Sequence, residues 1–224
     1  MKETDLAEKV IEYLHHNRWK VYQEVQLWRG SKRADIVAAQ GPLLWVIETK
    51  LTLSLSLIYQ ALQWRKDAHF VSIAIPAPGR HSNGAGNYFC RKEGIGILAV
   101  DVFRTDPVYE RLRPVLFRKA HIEHIKSHLC DQQKTFAKAG NAEGKYWTPY
   151  QETCQNINAA VRLQPGIILK DLIDTVKHHY ASKASATSSI SHWAQGGKIK
   201  GIRCERDGRF LRFYPEECDQ KEQG

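Results

Sequence analysis

The alternation of apolar and polar positions opens with a helix. Leu6, Val10, Tyr13 and Leu14 recur at helical spacing, and Asp5 with Glu8 three places on resembles a capping box, so a first helix is predicted to run to about Asn17. Three strands are predicted next: "WKVYQEVQL" (19–27), "RADIVAA" (33–39) and "LLWVIETK" (43–50). A helix over "SLIYQALQWRKDA" (56–68) precedes two apolar runs, "HFVSIAIP" (69–76) and "GIGILAVDVF" (94–103), both continuous enough for central strands. The Gly/Asn-rich "GRHSNGAGN" (79–87) reads as a loop between them; it lacks the spacing of a phosphate-cradling glycine loop. Helix, three-stranded meander, helix, strand, strand describes a small α/β domain over residues 1–105.

From Pro107 the rhythm changes. "AHIEHIKSHLCDQQKTFAKAG" (120–140) reads as a helix within a connector spanning 106–146, and "NAEG" (141–144) breaks it. A helix restarts over 148–162 with Thr148 as N-cap and Pro149 at its first position. Two more are predicted at 168–181 and 185–195, followed by a hairpin over 198–215 turning at Asp207-Gly208. Three helices and then a hairpin is the order of a winged helix-turn-helix, placed at 147–216 with a tail at 217–224.

Composition changes this picture little and charge changes it more. The 224 residues are 42% hydrophobic and 25% charged, ordinary for a globular protein. A net charge of +9 points to a polyanionic partner, with nucleic acid first among the classes that fit. Five dispersed cysteines (90, 130, 154, 204 and 218) form no Cys-x-x-Cys pair, which argues against a disulfide framework or a zinc ribbon and for a reducing compartment. Acids near the N-terminus and the lack of any apolar run of about 20 residues lead to the expectation of a cytoplasmic protein with no membrane association.

The candidate chemistry lies where "LLWVIETK" ends. Strand alternation puts Leu44, Val46, Glu48 and Lys50 on one face. A hairpin turning at Gly41-Pro42 pairs Val37 with Val46 and Ala39 with Leu44, and so sets Asp35 opposite Glu48. If "WRGS" (28–31) is a tight loop, Glu24 falls opposite Asp35 in turn. Three acids brought together repel unless a cation joins them, and oxygen ligands with incomplete protein coordination suit Mg²⁺ or Mn²⁺. A lysine beside them suits the orientation of a water or contact with a phosphate oxygen. The alternative is a salt-bridged cluster that protects the sheet edge.

This constellation resembles the PD-(D/E)xK nuclease superfamily, with its restriction-endonuclease-like αβββαβ core, over roughly residues 5–103. The resemblance rests on Asp35 and on Glu48-Thr49-Lys50, and departs from the family pattern at Ala34, where the pattern has proline. It implies metal bound by Asp35 and Glu48, with the Thr49 main-chain carbonyl in the metal shell. It further implies water aligned by Lys50, with Gln60 on the following helix and Glu8 on the first helix in support. A second Glu-x-Lys, Glu143-Gly144-Lys145, has no strand before it.

The C-terminal hairpin carries Lys198, Lys200, Arg203, Arg206, Arg209 and Arg212 against only Glu205 and Asp207. Alternation puts Ile202, Cys204, Leu211 and Phe213 on a packing face and Arg203, Glu205, Phe210 and Arg212 on a wet one. With Ser188, Ser189 and His192 on the preceding helix, the hairpin is expected to contact DNA, the helix in the major groove and the wing along the phosphates. A solvated charged hairpin, or one used for protein contacts, is the alternative. His121, His124 and His128 share one helix side, but no carboxylate or cysteine completes a metal set, while Trp28, Trp45 and Trp64 read as core. The expectation is therefore a Mg²⁺-dependent DNA endonuclease, with Mn²⁺ able to substitute and no small-molecule cofactor. A homodimer or partner protein would serve two-strand cuts. A non-cleaving DNA-binding regulator or complex subunit is the rival. A nuclease-like domain joined to a winged helix is similar to the end-cleaving endonuclease subunit of some cut-and-paste transposases.

Overall fold

The computed structural model describes residues 1–27, 32–77, 84–140 and 146–216. Trp28, the 28–31 loop, the 141–144 break, Glu143-Gly144-Lys145, Cys218 and the 217–224 tail lie outside the described residues. The chain forms two compact units, Met1–Thr148 and Pro149–Gly224.

The first unit is a six-stranded mixed sheet between helices. Its elements run α1 (Glu3–His16), β1 (Lys20–Gln26), β2 (Arg33–Gln40), β3 (Leu43–Thr49), α2 (Leu55–Leu62), β4 (Phe70–Pro76), α3 (Gly84–Glu93), β5 (Gly96–Val100) and β6 (Val108–Leu112). The strands stand in chain order across the sheet. β1, β2 and β3 are antiparallel, β3, β4 and β5 parallel, and β5 and β6 antiparallel. The hairpin register is the expected one, Val37 opposite Val46 and Ala39 opposite Leu44. Gly41 turns it with φ +56, a conformation that side chains with a Cβ disfavour.

Period-2 alternation divides the core. Trp45 and Ile47 face one layer with Leu6, Val10 and Leu14 of α1. Leu44 and Val46 face the other with Leu57, Ile58 and Ala61 of α2 and with Trp64. A strand buried on both faces reads as a continuous apolar run, as "LLWVI" does.

Several expectations are corrected. The first helix begins at Glu3, and its capping pair is Lys2 with Asp5, the Lys2 N–H donating to Asp5 Oδ2 at 2.8 Å; Glu8 lies exposed on the second turn. Residues 84–87, assigned to a loop, begin α3, which buries Gly86 and Cys90. The 106–146 connector is part of this unit. Its "VYERL" run supplies β6, and the helix expected over 120–140 is reduced to one turn, α4 (Glu123–Lys126), and a 3₁₀ turn at Asp131–Lys134. Side chains take over the backbone bonds that a helix would have made. Buried Gln133 accepts from the Cys130 N–H (3.0 Å) and donates to the carbonyls of His128 (2.8 Å) and Trp147 (3.0 Å). Gln23 of β1 holds the segment from outside, donating to the Lys134 carbonyl (2.9 Å) and accepting from the Ala139 N–H (3.0 Å).

The second unit comprises α5 (Pro149–Leu163), β7 (Ile167–Ile168), α6 (Leu169–Thr175), α7 (Lys183–Gln195), β8 (Ile202–Asp207) and β9 (Phe210–Pro215). Its three strands stand in the order β7-β9-β8. The helix expected over 168–181 is seven residues long, and the hairpin turns one residue later than expected, at Gly208-Arg209, with Asp207 opposite Phe210. Ile157, Val161, Leu172, Ile190 and Phe213 form its core. Among the described residues of the whole chain, no helix is long and apolar enough to cross a membrane.

One glycine is fixed by space alone. A Cβ on Gly96 would lie 2.3 Å from Ser72 Oγ, which the Trp45 indole N–H already engages at 2.9 Å, and 2.9 Å from the Pro114 backbone nitrogen. Gly96→Ala is expected to cost about 1–3 kcal/mol, the usual range for overpacking, measured as a lower urea midpoint with unchanged m-value.

Candidate functional site

The C-terminal end of β3 opens onto a cleft of about 620 Å³ in the first unit. Glu3, Glu24, Arg33, Asp35, Glu48, Thr49, Lys50, Gln60 and Trp64 are among the residues that line it. The same alternation that sends Leu44 and Val46 into the α2 layer sends Glu48 there, where it is 5% exposed. A carboxylate carried to the core face of a sheet requires donors. The Trp64 indole N–H supplies one at 2.6 Å from Oε1. On the neighbouring strand, Asp35 Oδ2 accepts from both the N–H (2.8 Å) and the hydroxyl (3.0 Å) of Thr49.

Burial pushes the Asp35 carboxyl above its ordinary value despite the Thr49 bonds and the nearby Lys50 and Arg33 charges. Glu48 is driven well above its own, first by burial, then by the charge of Asp35, with Glu24 adding to the repulsion and the Trp64 bond opposing it. Two desolvated acids, one of them raised further by the charge of the other, make a site that favours an added positive charge.

Glu24 is 1% exposed and opposite Asp35 in register, as expected, but its side chain is directed elsewhere. Its Oε2 forms an ion pair with Arg33 Nε (2.8 Å), and its Oε1 accepts from the Gly140 N–H (2.9 Å). Its φ of +50 is uncommon for a residue with a side chain and interrupts the β1–β2 pairing at that point. Glu24 thus supports the cleft wall and adds negative charge, while its oxygens serve other partners.

Comparison with protein-family models, with curated proteins and with solved structures gives no match. What the cleft can do therefore follows from its own chemistry.

Of the expected site residues, Asp35, Glu48, Thr49, Lys50, Gln60 and Glu24 share the cleft. Glu8 does not: it lines a separate depression with Thr4, Ala7 and Gln23. The first-helix acid that enters the site is Glu3, whose Oε1 lies 3.0 Å from Lys50 Nζ. Glu3 is five residues before Glu8, more than one helical turn, so the two acids of α1 line different depressions. Trp64 also went unrecognised as a site residue, because an indole that packs in a core and donates from its edge looks the same in sequence as one that only packs.

Among the described residues no set of three or more His, Cys, Asp and Glu side chains stands ready to hold a metal. Asp35 and Glu48 form a pair, and a pair fits Mg²⁺, which keeps several waters and commonly takes one or two carboxylates together with a substrate phosphate. Of the three histidines considered for metal binding, His121 and His124 stack with ring centres 6.0 Å apart and His124 Nδ1 lies 3.0 Å from Asp67 Oδ1, and they belong to no such set.

The second unit has its own net cationic groove of about 550 Å³, lined by Lys170 and Asp174 of α6, Lys183, Thr187, Ser191 and Gln195 of α7, and Arg206, Arg209 and Phe210 of the hairpin, with Lys183 paired to Asp174 at 2.6 Å. The four α7 residues recur every fourth position and so form one stripe. Ser188 and His192 are exposed on the outer side of α7 and Ser189 is half-buried. The expected basic residues divide. Arg206 and Arg209 face the groove, while Arg212 bonds Asp207 Oδ2 (2.8 Å) and the Gly166 carbonyl (3.1 Å). Arg203 pairs with Glu205 and lies over the Tyr214 ring, Lys198 lies 4.3 Å from the Trp193 ring centre, and Lys200 is exposed. Lys170 and Lys183 were not expected; their lysines sit on helices whose apolar pattern dominates the reading.

The raised carboxyls carry a sign. The folded chain takes up protons that the unfolded chain releases, so their contribution to stability is complete below the ordinary glutamate value near 4.5 and is lost as pH rises through the raised one. In EDTA, Glu48→Gln, which keeps an acceptor for Trp64, is expected to melt higher than the wild type at pH 8. The advantage should shrink towards pH 4.5 in thermal melts; an equal shift at both pH values would refute the assignment.

Proposed function

We propose that this chain is a Mg²⁺-dependent DNA endonuclease of the PD-(D/E)xK type, with a winged helix-turn-helix in its second unit. The observation that carries the reading is the pairing of Asp35 and Glu48, desolvated side by side at the end of a central strand, with Lys50 two residues on and in the same cleft. The order α1-β1-β2-β3-α2-β4 agrees with a restriction-endonuclease-like core, and the order α5-β7-α6-α7-β8-β9 agrees with a winged helix.

In this reading Asp35, Glu48 and the Thr49 carbonyl would hold Mg²⁺, which supplies Lewis-acid stabilisation of charge on the phosphate and lowers the pKa of an attacking water. Thr49 fixes one oxygen of Asp35 and Trp64 one oxygen of Glu48, so neither carboxylate is free to rotate. Lys50, tethered by Glu3, offers a cation to a phosphate oxygen or a water. Gln60 on α2 reaches the same space and suits a contact to the scissile strand. In the second unit, Arg206, Arg209 and Lys183 supply phosphate contacts while Ser188 and His192 face a duplex groove.

The test is cleavage of supercoiled plasmid, linear duplex and a four-way junction with Mg²⁺, Mn²⁺ or EDTA. Metal-dependent cutting is expected, abolished in Asp35→Ala and reduced on the order of 10²–10³-fold in Lys50→Ala. Tight DNA binding without cutting in any metal would instead assign the chain as a binding subunit. Replacing Lys183, Arg206 and Arg209 together with glutamine is expected to weaken binding by at least tenfold in 0.1 M salt and to flatten its salt dependence, measured by fluorescence anisotropy.

A further inference from the structure

Beside the acidic cleft the first unit carries a second depression, open and entirely different in charge. Its volume is about 680 Å³, and Arg65, Lys66, Arg118, Lys119 and His121 line it with Leu116 and Phe117. No carboxylate is among the lining residues, so one face of the unit concentrates four fixed positive charges and a histidine.

The surface is built. The segment 116–121 is tied along the turn after α2, the Phe117 N–H donating to the His69 carbonyl (2.8 Å) and the His121 N–H to the Lys66 carbonyl (2.6 Å). The Arg65 guanidinium lies over the Phe117 ring at 5.1 Å and is paired with Glu93 of α3. Lys66, Arg118 and Lys119 are exposed. Backbone on both sides is therefore fixed, and the charges are presented from a rigid frame.

The turn also joins the two sites. Gln63 and Trp64 line the cleft, and the next two residues, Arg65 and Lys66, line the basic depression.

We propose that the Lys66–Arg118–Lys119 surface is a phosphate-backbone site of the first unit, which seats a DNA duplex next to the Asp35–Glu48 cleft independently of the second unit. It rests on the nuclease reading only for the role of the cleft; binding is measured apart from cutting. Regular phosphates at fixed spacing match several cations held on one frame, and each contact made releases counterions and steepens the salt dependence.

The experiment uses the full chain in EDTA and a duplex of about 20 base pairs, with affinity read by anisotropy across a salt series. Lys66→Gln/Arg118→Gln/Lys119→Gln is expected to weaken binding by tenfold or more at low salt and to reduce the log–log salt slope by about two to three. Lys9→Gln/Lys20→Gln, on α1 and at the start of β1, removes charge elsewhere and should leave the slope nearly unchanged. Lys66→Arg/Lys119→Arg should retain it. An unchanged slope in the triple variant, with an unchanged melting temperature, overturns the proposal, as does an equal loss in the Lys9/Lys20 control. Because binding is read in EDTA, where no metal-dependent cutting occurs, loss of binding in the triple variant would uphold this surface even if cleavage were never seen.

Discussion

Two carboxylic acids buried against each other are the constraint to which the first unit answers. Charge in a poorly hydrated setting costs several kcal/mol unless donors or a cation compensate. The fold supplies donors in part: the Trp64 indole for Glu48, and the Thr49 backbone and hydroxyl for Asp35. It leaves the two acids above their ordinary proton affinities. Donors sufficient to satisfy the pair fully would produce a stable salt-bridge cluster. The deficit distinguishes this arrangement from an edge decoration, because a protective edge charge is exposed and this pair is not.

Topology explains why the deficit sits where it does. β3 runs antiparallel to β2 and parallel to β4, so its C-terminal end meets the start of β2, where Asp35 stands, and the end of β4. That change of direction within a mixed sheet leaves an opening beyond the carboxyl end of a buried strand, the usual place for a ligand in α/β sheets. Gly140, at the end of the 131–140 segment that Gln23 and Glu24 hold, lines the opening. At Glu24 the positive φ interrupts the ladder, and the carboxylate meets Arg33 and the Gly140 N–H.

How much of this could be read from the sequence depended on whether the signal was local. The β2–β3 hairpin followed from a single glycine turn and two apolar alternations, and its register put Asp35 and Glu48 together without error. The segment from 106 to 146 could not be read in the same way. Its residues "VYERL" lie between two prolines, and beyond them the expected helix gives way to turns held by Gln133, whose bonds to the Cys130 amide and the His128 and Trp147 carbonyls have no period. The same limit applies to the site. Glu48 and Lys50 were legible because strand alternation is short-range; Glu3, Trp64 and the Lys66–Lys119 surface were not, because they meet through tertiary contact.

A chain with cations in two units must also divide the work between them. Attachment of a duplex by one unit would raise the local concentration of DNA at the other. Phosphodiester cleavage depends on placing one phosphorus within a few tenths of an ångström of the metal and water, and errors of about 1 Å cost orders of magnitude in rate. The groups able to impose that placement are those rigid with respect to Asp35 and Glu48. In the first unit these are Lys50, Gln60 and the turn carrying Trp64, Arg65 and Lys66. On the proposed reading, charge in the second unit would govern how often DNA is present, and charge in the first whether a phosphate arrives in position to be cut.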